Sequence, residues 1–267
     1  MQDSDVWVPL AGGRTNPIWR IETAQGAVVC KLFRSNAATP LFPNDPTAEA
    51  IALNALEGTS LAPRLIATGA TNAGDSLVYS YVPGAPWRAG VTPVARLLSH
   101  LHKRPLPNGL ARAETGAVAL LAQGQMMLDD IGTQGRALQG LKPAPVQMPA
   151  IAPVFLHGDV VPGNLLQGDK GLTLIDWQCP CVGDPCDDLA VFLSPAMQSI
   201  YGETPLSSED EQAFLSAYDA PEIVRRYRAL APIYNWRMAA FCLWKAARGD
   251  PDYAQAAKHE IARLKQR

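Results

Sequence analysis

The amino-acid sequence predicts an α+β protein of two lobes, a small β-rich lobe followed by a larger, mainly helical one. Short runs of β-branched and aromatic residues, separated by turn residues, fill the first part of the chain. Apolar residues recur at helical spacing through most of the second part. Between them, the segment YVPGAPW carries two prolines and a glycine, which is typical of a hinge. We therefore expect an N-terminal lobe over residues 1–80, a hinge over 81–86 and a C-terminal lobe over 87–267.

The N-terminal part predicts strands around one helix. The runs VWVPLAGG, PIWRIET and AVVCKLF predict a hairpin followed by a third strand. The segment TAEAIALNALEG has helical spacing, with Thr47 placed to cap its start and Gly58 to end it. Two further runs, LAPRLIATG and SLVYSYVPG, return to strand.

Helices dominate the second part. The segment TPVARLLSHLHKRP predicts a helix capped by Thr92 with Pro93 in its first turn, and ETGAVALLAQGQMML predicts another. Near the C-terminus, VRRYRALAPIYNWRMAAFCLWKAARG is the longest helical pattern, with a break or kink expected at Pro232. The acidic run SSEDE fits a capping box formed by Ser208 and Glu211.

Composition and charge limit the possible partners. A chain of 267 residues with 48% hydrophobic content can bury a substantial core. A net charge of -2 gives no basic footprint, so we expect no nucleic-acid partner. No apolar run approaches the ~20 residues that span a bilayer, and the first residues lack the basic start of a signal peptide. We therefore expect a cytoplasmic protein with no membrane partner, and no pattern in the sequence specifies an oligomer.

The stretch VFLHGDVVPGNLLQGDKGLTLIDWQ, residues 154–178, places polar side chains between short apolar runs. The runs VFL, NLL and LTLI fit strands, so Asp159 and Asn164 fall on a strand-end loop and Asp176 directly follows a strand. The spacing of His157, Asp159, Asn164 and Asp176 matches the catalytic loop and metal-binding Asp of kinases. Phosphoryl transfer uses such a set, because one Asp orients the attacking hydroxyl while an Asn and a second Asp hold Mg²⁺. The alternative is that these residues only form turns.

The N-terminal part contains candidates for the remaining groups of a nucleotide site. Gly12 and Gly13 lie between two predicted strands, where a backbone loop can approach phosphates. Lys31 lies among apolar residues in a strand, and Glu49 on the next helix can pair with it. Alternatively, the glycines form an ordinary hairpin turn, and Lys31 and Glu49 simply face solvent. No Walker sequence is present, which excludes a P-loop.

Taken together, LHGDVVPGNLL, LIDWQ, GDPCDDLA, LAGGRTN, Lys31 and Glu49 resemble the aminoglycoside phosphotransferase and choline kinase superfamily. The segments GGRTN and YVPG are similar to its choline, ethanolamine and thiamine kinase branch, although Arg14 inside the glycine loop departs from the pattern. The resemblance implies a two-lobed protein-kinase-like fold and a kinase that uses ATP and Mg²⁺.

The resemblance also implies roles for individual residues. Asp159 is expected to be the catalytic base, Asn164 and Asp176 the metal ligands, and His157 a structural organiser of the loop. The nucleotide is expected to contact the glycine loop, the Lys–Glu pair and the hinge backbone. These contacts comprise Gly12, Gly13, Thr15, Lys31, Glu49, Ser80, Tyr81 and Val82.

The acceptor is expected to be a small molecule, because Asp176 is followed at once by WQCPCVGDPCDDLA and leaves no room for a peptide platform. An aromatic pocket in the helical tail suits a cationic metabolite of the choline, ethanolamine or thiamine type. Candidate pocket residues are Trp177, Asp184, Tyr234, Trp236 and Trp244. The alternative for the aromatic residues is a helical core, where such residues are more often found. Asp184, Asp187 and Asp188 are possible cation contacts, with loop bracing or helix capping as the alternative. An aminoglycoside acceptor and a nucleotide-binding protein without catalysis are the alternatives.

Overall fold

A computed structural model describes residues 6–10, 14–202 and 204–266. It has a β-sheet lobe and a helical lobe, which confirms the predicted α+β class with two lobes. The lobe boundaries at residues 80 and 87 remain predictions. The strands are β1 Val6–Pro9, β2 Ile18–Thr23, β3 Gly26–Leu32, β4 Leu65–Thr71, β5 Gly74–Ser80, β6 Ala85–Pro86, β7 Val154–Leu156, β8 Leu165–Gly168, β9 Gly171–Leu174 and β10 Cys181–Gly183. The helices are α1 Pro46–Ala55, α2 Val91–Leu101, α3 Ala117–Ile131, α4 Arg136–Gln139, α5 Cys186–Phe192, α6 Pro195–Tyr201, α7 Ser208–Ala217, α8 Pro221–Ala246 and α9 Asp252–Lys265.

The N-terminal sheet has five antiparallel strands in the order β1-β2-β3-β5-β4. Strand β3 lies at its centre, where Lys31 pairs with Ile18 of β2 and with Leu77 of β5. Helix α1 packs on the sheet through buried Ala52 and Leu53. Because β3 is hydrogen-bonded to a neighbouring strand on each edge, the sheet fixes the position of Lys31 near the end of this strand.

Two small sheets carry the polar stretch found in the sequence. Strands β8 and β9 form the predicted hairpin, with Leu165 opposite Leu174, and β6 adds to its other edge. Strand β7 pairs with β10 in an antiparallel ladder. The segment between β7 and β8, which contains Asp159, is therefore anchored at both ends.

Helix α8 is the centre of the helical lobe and packs against α3, α5 and α9. It continues through Pro232, so a break at that residue is wrong, while a kink there stays a prediction. Trp236 of this helix is fully buried, and its indole N–H donates to the Leu138 carbonyl at 2.9 Å. No helix in the parts of the chain that the structure describes has the length and apolar character needed to cross a bilayer.

Three predicted helix starts are shifted. Asp45 caps α1 in place of Thr47, with its carboxylate accepting from the N–H groups of Thr47 and Ala48. Helix α2 begins at Val91 after Gly90, which has a φ of 86°, and no side chain caps it. Helix α7 is capped by Ser207 with Asp210, one residue earlier than the expected pair. Adjacent residues of similar capping ability account for these differences.

Gly124 in α3 lies against the ring of Trp236. A Cβ added there would stand 2.4 Å from the ring, which is closer than van der Waals contact permits. We expect Gly124→Ala to lower the free energy of unfolding by about 1–3 kcal/mol through overpacking, although Ala is the better helix former. Thermal and urea unfolding measure the change.

Gly140 supplies the matched control, because its φ of -66° suits Ala and an added Cβ would lie 3.6 Å from its nearest neighbour. Gly140→Ala should leave the midpoint nearly unchanged. Equal stability of the Gly124→Ala protein and the parent would contradict the packing described for Trp236.

Candidate active site

Lys31 connects the two lobes through a buried ion pair. Its Nζ donates to Glu49 Oε2 at 2.6 Å and also to the carboxylate of Asp176. Lys31 and Glu49 are each 1% exposed, so neither side chain faces solvent. Burial alone lowers the pKa of Lys31, but the carboxylates of Asp176 and Glu49 outweigh it and hold the pKa above its usual value. The lysine therefore stays charged.

Glu49 owes its position to the start of α1. Pro46 lies in the first turn, Asp45 caps it, and Glu49 projects from that turn towards the end of β3. Burial raises the pKa of Glu49 to about 7, while the charge of Lys31 acts in the opposite direction. The Asp45 N–H also donates to the Gln178 carbonyl at 3.2 Å. Helix α1 is thereby attached to the segment that follows Asp176.

Asp159 lies in the loop between β7 and a single turn of 3-10 helix, Pro162–Asn164. The Asn164 side-chain N–H₂ donates to the Asp159 carbonyl at 2.9 Å and to its carboxylate at 3.2 Å. Burial and the nearby Asp176 carboxylate raise the pKa of Asp159 to about 7, and the hydrogen bond from Asn164 opposes this rise. A carboxylate with a raised pKa is a stronger base than one in water.

His157 fixes the shape of the loop in its neutral form. Its Nε2 lies 3.0 Å from the Ile175 carbonyl, and its Nδ1 accepts from the Asp159 N–H at 3.2 Å. A carbonyl only accepts and an N–H only donates, so the proton is on Nε2. Burial lowers the pKa of His157, and its ring packs 4.4 Å from the Trp177 ring. The role of His157 as a structural organiser stays a prediction, and these contacts join the loop to the end of β9.

Asp188 of α5 holds the same loop through hydrogen bonds to its backbone. Its carboxylate accepts from the backbone N–H groups of His157 at 3.0 Å and Gly158 at 2.8 Å, and His102 Nε2 lies 3.1 Å away. Burial alone would raise the pKa of Asp188, but these hydrogen bonds and the two histidines hold it below its usual value. Gly158 has a φ of 81°, and an added Cβ would stand 2.1 Å from the Cys179 carbonyl. Of the alternatives open for Asp188, loop bracing is the one that the structure contains.

Asp176 adopts a left-handed backbone conformation with a φ of 62°, which is uncommon outside glycine. The preceding N–H, of Ile175, donates to the Asn164 carbonyl at 2.9 Å and ties the strand end to the catalytic loop. The side chain of Asp176 is 31% exposed while its carboxylate contacts Lys31. Backbone strain of this kind is often concentrated at functional positions.

The glycine loop is described from Arg14 onward, so predicted residues Gly12 and Gly13 lie outside the described part of the chain. Thr15 lines the same cavity as Asp159. Arg14 packs 5.5 Å from the centre of the Tyr201 ring and lies 3.6 Å from the Asp252 carboxylate.

Asn16 follows this loop and is a functional candidate that sequence reasoning missed. Its side-chain N–H₂ donates to Gln178 at 2.9 Å and to Asn44 at 2.7 Å, and its oxygen accepts from the Arg34 N–H at 3.0 Å. The network joins the glycine loop to the residue two places after Asp176. No local pattern indicates it, because Asn16 and Gln178 are 162 positions apart.

The predicted hinge residues differ in the hydrogen bonds they already make. The Ser80 N–H donates to the Arg64 carbonyl at 2.9 Å, and the Tyr81 N–H donates to the Ala27 carbonyl at 3.2 Å. Both N–H groups are therefore used within the sheet lobe. A contact of Val82 with the nucleotide stays a prediction.

A cavity of about 460 Å³ opens beside Asp159. Its volume falls within the range of small-molecule sites. Of the five predicted pocket residues, Trp244 lines it. Other aromatic walls come from helices α6, α8 and α9 and from the segment before α1. These residues are Phe42, Tyr201, Phe241 and Tyr253.

The other four predicted pocket residues lie in the interior instead. Trp177 and Trp236 are fully buried, and the Trp177 indole N–H donates to the Leu174 carbonyl at 3.0 Å. Asp184 is 1% exposed and accepts from Arg226 Nε at 2.6 Å. Tyr234 is buried beneath Arg237 at 5.1 Å. For Trp177, Tyr234 and Trp236 the structure therefore contains the core alternative, and these residues do not line the cavity.

Comparison with protein families identifies the family of this chain. A model described as the phosphotransferase enzyme family (APH) matches residues 6–233. This chain belongs to that phosphotransferase family. No curated protein matches the sequence of the phosphotransferase.

Solved structures resemble the phosphotransferase over nearly its whole length. A choline/ethanolamine kinase family protein from Mesorhizobium loti is 16% identical, with a TM-score of 0.63 over 98% of this chain and 87% of that chain. A choline kinase from Cryptosporidium parvum Iowa II is 13% identical, with a TM-score of 0.67 over 100% and 90% of the two chains. A thermostable aminoglycoside phosphotransferase mutant in complex with ADP and hygromycin B is 13% identical, with a TM-score of 0.66 over 97% and 93%. At these identities the likeness establishes the kinase-like fold and leaves the acceptor open.

The donor groups of the phosphotransferase fit the Mg²⁺ ion that its family implies. Asp176 offers a partly exposed carboxylate at the cleft, and carboxylate and amide oxygens are preferred ligands of Mg²⁺. The Asn164 amide nitrogen is held by Asp159, which leaves the amide oxygen for a cation. Within the described residues no group of three or more His, Cys, Asp or Glu is arranged to hold a metal. A site of this type takes its remaining ligands from substrate phosphates and water.

Asp188 provides a test of the loop brace in the phosphotransferase. Asp188→Asn replaces one accepting oxygen with a donor and leaves a loop N–H without an acceptor. We expect a loss of about 1.5–3 kcal/mol in unfolding free energy, the contribution of hydrogen bonds to a charged group. Thermal unfolding measures it.

The Asp169→Asn variant is the control. Asp169 is exposed in the turn between β8 and β9, away from the loop N–H groups, so its substitution should leave the stability nearly unchanged. If both variants lose the same stability, the bracing role of Asp188 is wrong.

Proposed function

We propose that the phosphotransferase transfers the γ-phosphoryl group of ATP, with Mg²⁺, to a hydroxyl group of a small molecule. The observation that carries this proposal is the contact of buried Lys31 with both Glu49 and Asp176, beside Asp159 in the wall of the cavity. The template of kinase catalysis requires these four groups in this relation.

The nucleotide is assigned to the cleft between the lobes. The N–H of Val82 binds adenine, since those of Ser80 and Tyr81 are already used in the sheet lobe. Lys31 contacts the phosphates, and Glu49 keeps its ammonium group in place. The glycine loop with Gly12, Gly13 and Thr15 covers the phosphates with backbone N–H groups.

Asp159 acts as the base of the transfer. It accepts the proton of the acceptor hydroxyl, whose oxygen forms a bond to the γ-phosphorus while the bond from phosphorus to the bridging oxygen of ADP breaks. Asn164 holds the carboxylate of Asp159 in orientation and, with Asp176, would hold Mg²⁺. When bound, this ion neutralises charge on the phosphate oxygens.

The short connection after Asp176 supports a small acceptor. Strand β10 begins at Cys181 and helix α5 at Cys186, so the chain returns to the core within ten residues of Asp176. A peptide substrate needs a longer platform between these elements. The cavity beside Asp159, at about 460 Å³, instead suits a metabolite.

The choline-like, cationic acceptor expected from the sequence has less support from the cavity. Of its four predicted aromatic residues, only Trp244 lines the cavity, and the other three, Trp177, Tyr234 and Trp236, lie in the core. An aminoglycoside needs several free carboxylates, yet Asp159 and Asp250 are the acidic residues in this lining, and Asp250 already pairs with Lys245. A binding protein without catalysis is not favoured either, since Lys31, Glu49, Asp159, Asn164 and Asp176 are all in place.

Substitution of Asp159 tests the proposal. Asp159→Asn keeps the shape of the side chain and removes the base, so we expect ADP release with an acceptor to fall by about 10²- to 10⁴-fold. Binding of ATP, measured by calorimetry, should persist. Chelation of Mg²⁺ with EDTA should stop turnover in the parent protein.

Asp169→Asn is the control, because Asp169 lies exposed in the turn between β8 and β9. It should turn over at the parental rate. Unchanged turnover of the Asp159→Asn protein would exclude Asp159 as the base.

A further inference from the structure

Three aromatic rings of the acceptor cavity already carry a cation of the chain itself. The Arg248 guanidinium lies 3.9 Å from the centre of the Trp244 ring. Arg14 lies 5.5 Å from the Tyr201 ring, and Lys245 lies 5.3 Å from the Tyr253 ring. Each cation occupies one face of its ring, and each also pairs with a carboxylate, Arg14 with Asp252, Lys245 with Asp250 and Arg248 with Asp130. The attraction of an aromatic pocket for a quaternary ammonium group is therefore weakened at these three rings.

The cavity lining has few acidic residues that could bind a cationic acceptor. The lining contains Asp159 and Asp250 as its acidic residues, and Asp250 is paired with Lys245. Asp159 is needed for the hydroxyl and is oriented by Asn164. The described cavity wall thus offers a cationic acceptor no free carboxylate apart from the catalytic one.

Arg34 differs from the other cations of the cavity lining. Its guanidinium lines the cavity and makes no ion pair with any residue in the described ranges 6–10, 14–202 and 204–266. Its backbone is nevertheless fixed, because its N–H donates to Asn16 at 3.0 Å and its carbonyl accepts from Asn44 at 3.0 Å. Arg34 is thus an exposed cation on a fixed stretch of backbone at the cavity wall, with its planar donor groups available. An arginine of this kind matches the geometry of a carboxylate.

We propose that the acceptor is a hydroxy acid whose carboxylate is bound by Arg34 while its hydroxyl group faces Asp159. One cation without an acidic partner balances one negative charge, which favours a carboxylate over a doubly charged phosphate ester. The aromatic walls formed by Phe42, Phe241 and Trp244 then contact the carbon skeleton. The inference rests on the proposed function, because it names the class of acceptor for the same transfer.

Two matched series of acceptors test the charge preference. The first is para-(hydroxymethyl)benzoate with benzene-para-dimethanol and para-(hydroxymethyl)benzylamine, and the second is glucuronate with glucose and glucosamine. Each series keeps a hydroxyl-bearing skeleton and changes the charge at one position. Calorimetric binding in the presence of MgADP reports recognition without transfer, and coupled ADP release with MgATP reports KM and kcat.

We expect the acid in at least one series to bind on the order of tenfold more tightly than its neutral and aminated counterparts. Arg34→Gln should abolish this advantage, and Arg34→Lys should retain part of it because the charge is kept. Arg225→Gln is the control, since Arg225 is an exposed arginine of α8 outside the cavity, and it should keep the full advantage. Circular dichroism and thermal unfolding verify that each variant is folded.

The inference is overturned if an amine binds as tightly as its matched acid, if no compound binds, or if Arg34→Gln keeps the preference for acids. Its failure is separate from that of the proposed function. Mg²⁺-dependent ADP release with the amines as best acceptors would retain the kinase and reject the hydroxy acid. Selective binding of acids through Arg34 with no ADP release from any compound would support the acceptor class and reject the transfer.

Discussion

The structure depends on one buried ammonium group. Lys31 lies on the central strand of the N-terminal sheet, and its charge is compensated by Glu49 from α1 and by Asp176 from the end of β9. An isolated charge at that depth would cost several kcal/mol, so the three segments are stable together only when the partners meet. Breaking a buried pair leaves an uncompensated charge, which is why such pairs define a specific arrangement more than they add stability. This contact therefore joins the N-terminal sheet and α1 to the segment that contains Asp176.

The catalytic loop is held by a second set of contacts that does not depend on Lys31. His157, in one tautomer, joins the loop to the end of β9, and Asp188 accepts the two N–H groups that precede Asp159. Gly158 lets the backbone pass against the Cys179 carbonyl. Asp159, the proposed base, is therefore positioned by His157 and Asp188, and it lines the cavity.

Local pattern predicted the main strands and helices, although not their exact starts, and it pointed to the polar residues of the candidate site. Alternating strands, the β8–β9 hairpin and the spacing from His157 to Asp176 are local, and Lys31 and Glu49 were found by their place in a template. The acceptor pocket was not predictable in the same way. Tryptophans such as Trp177 and Trp236 occur both in ligand pockets and in protein cores. Only the tertiary packing shows that these two belong to the core. Asn16 carries no local signal, because Gln178 lies 162 positions away. The sequence around Arg34 does not show that this residue lines the same cavity as Asp159.

The central claim is that Lys31 and Glu49 act as one unit in holding the nucleotide. A double-mutant cycle on MgATP affinity, with Lys31→Met, Glu49→Gln and the double variant, tests it most directly. The account predicts that each single substitution weakens binding and that the second adds little once the first is made, a coupling of about 1 kcal/mol or more. Additive losses in the double variant would contradict the account.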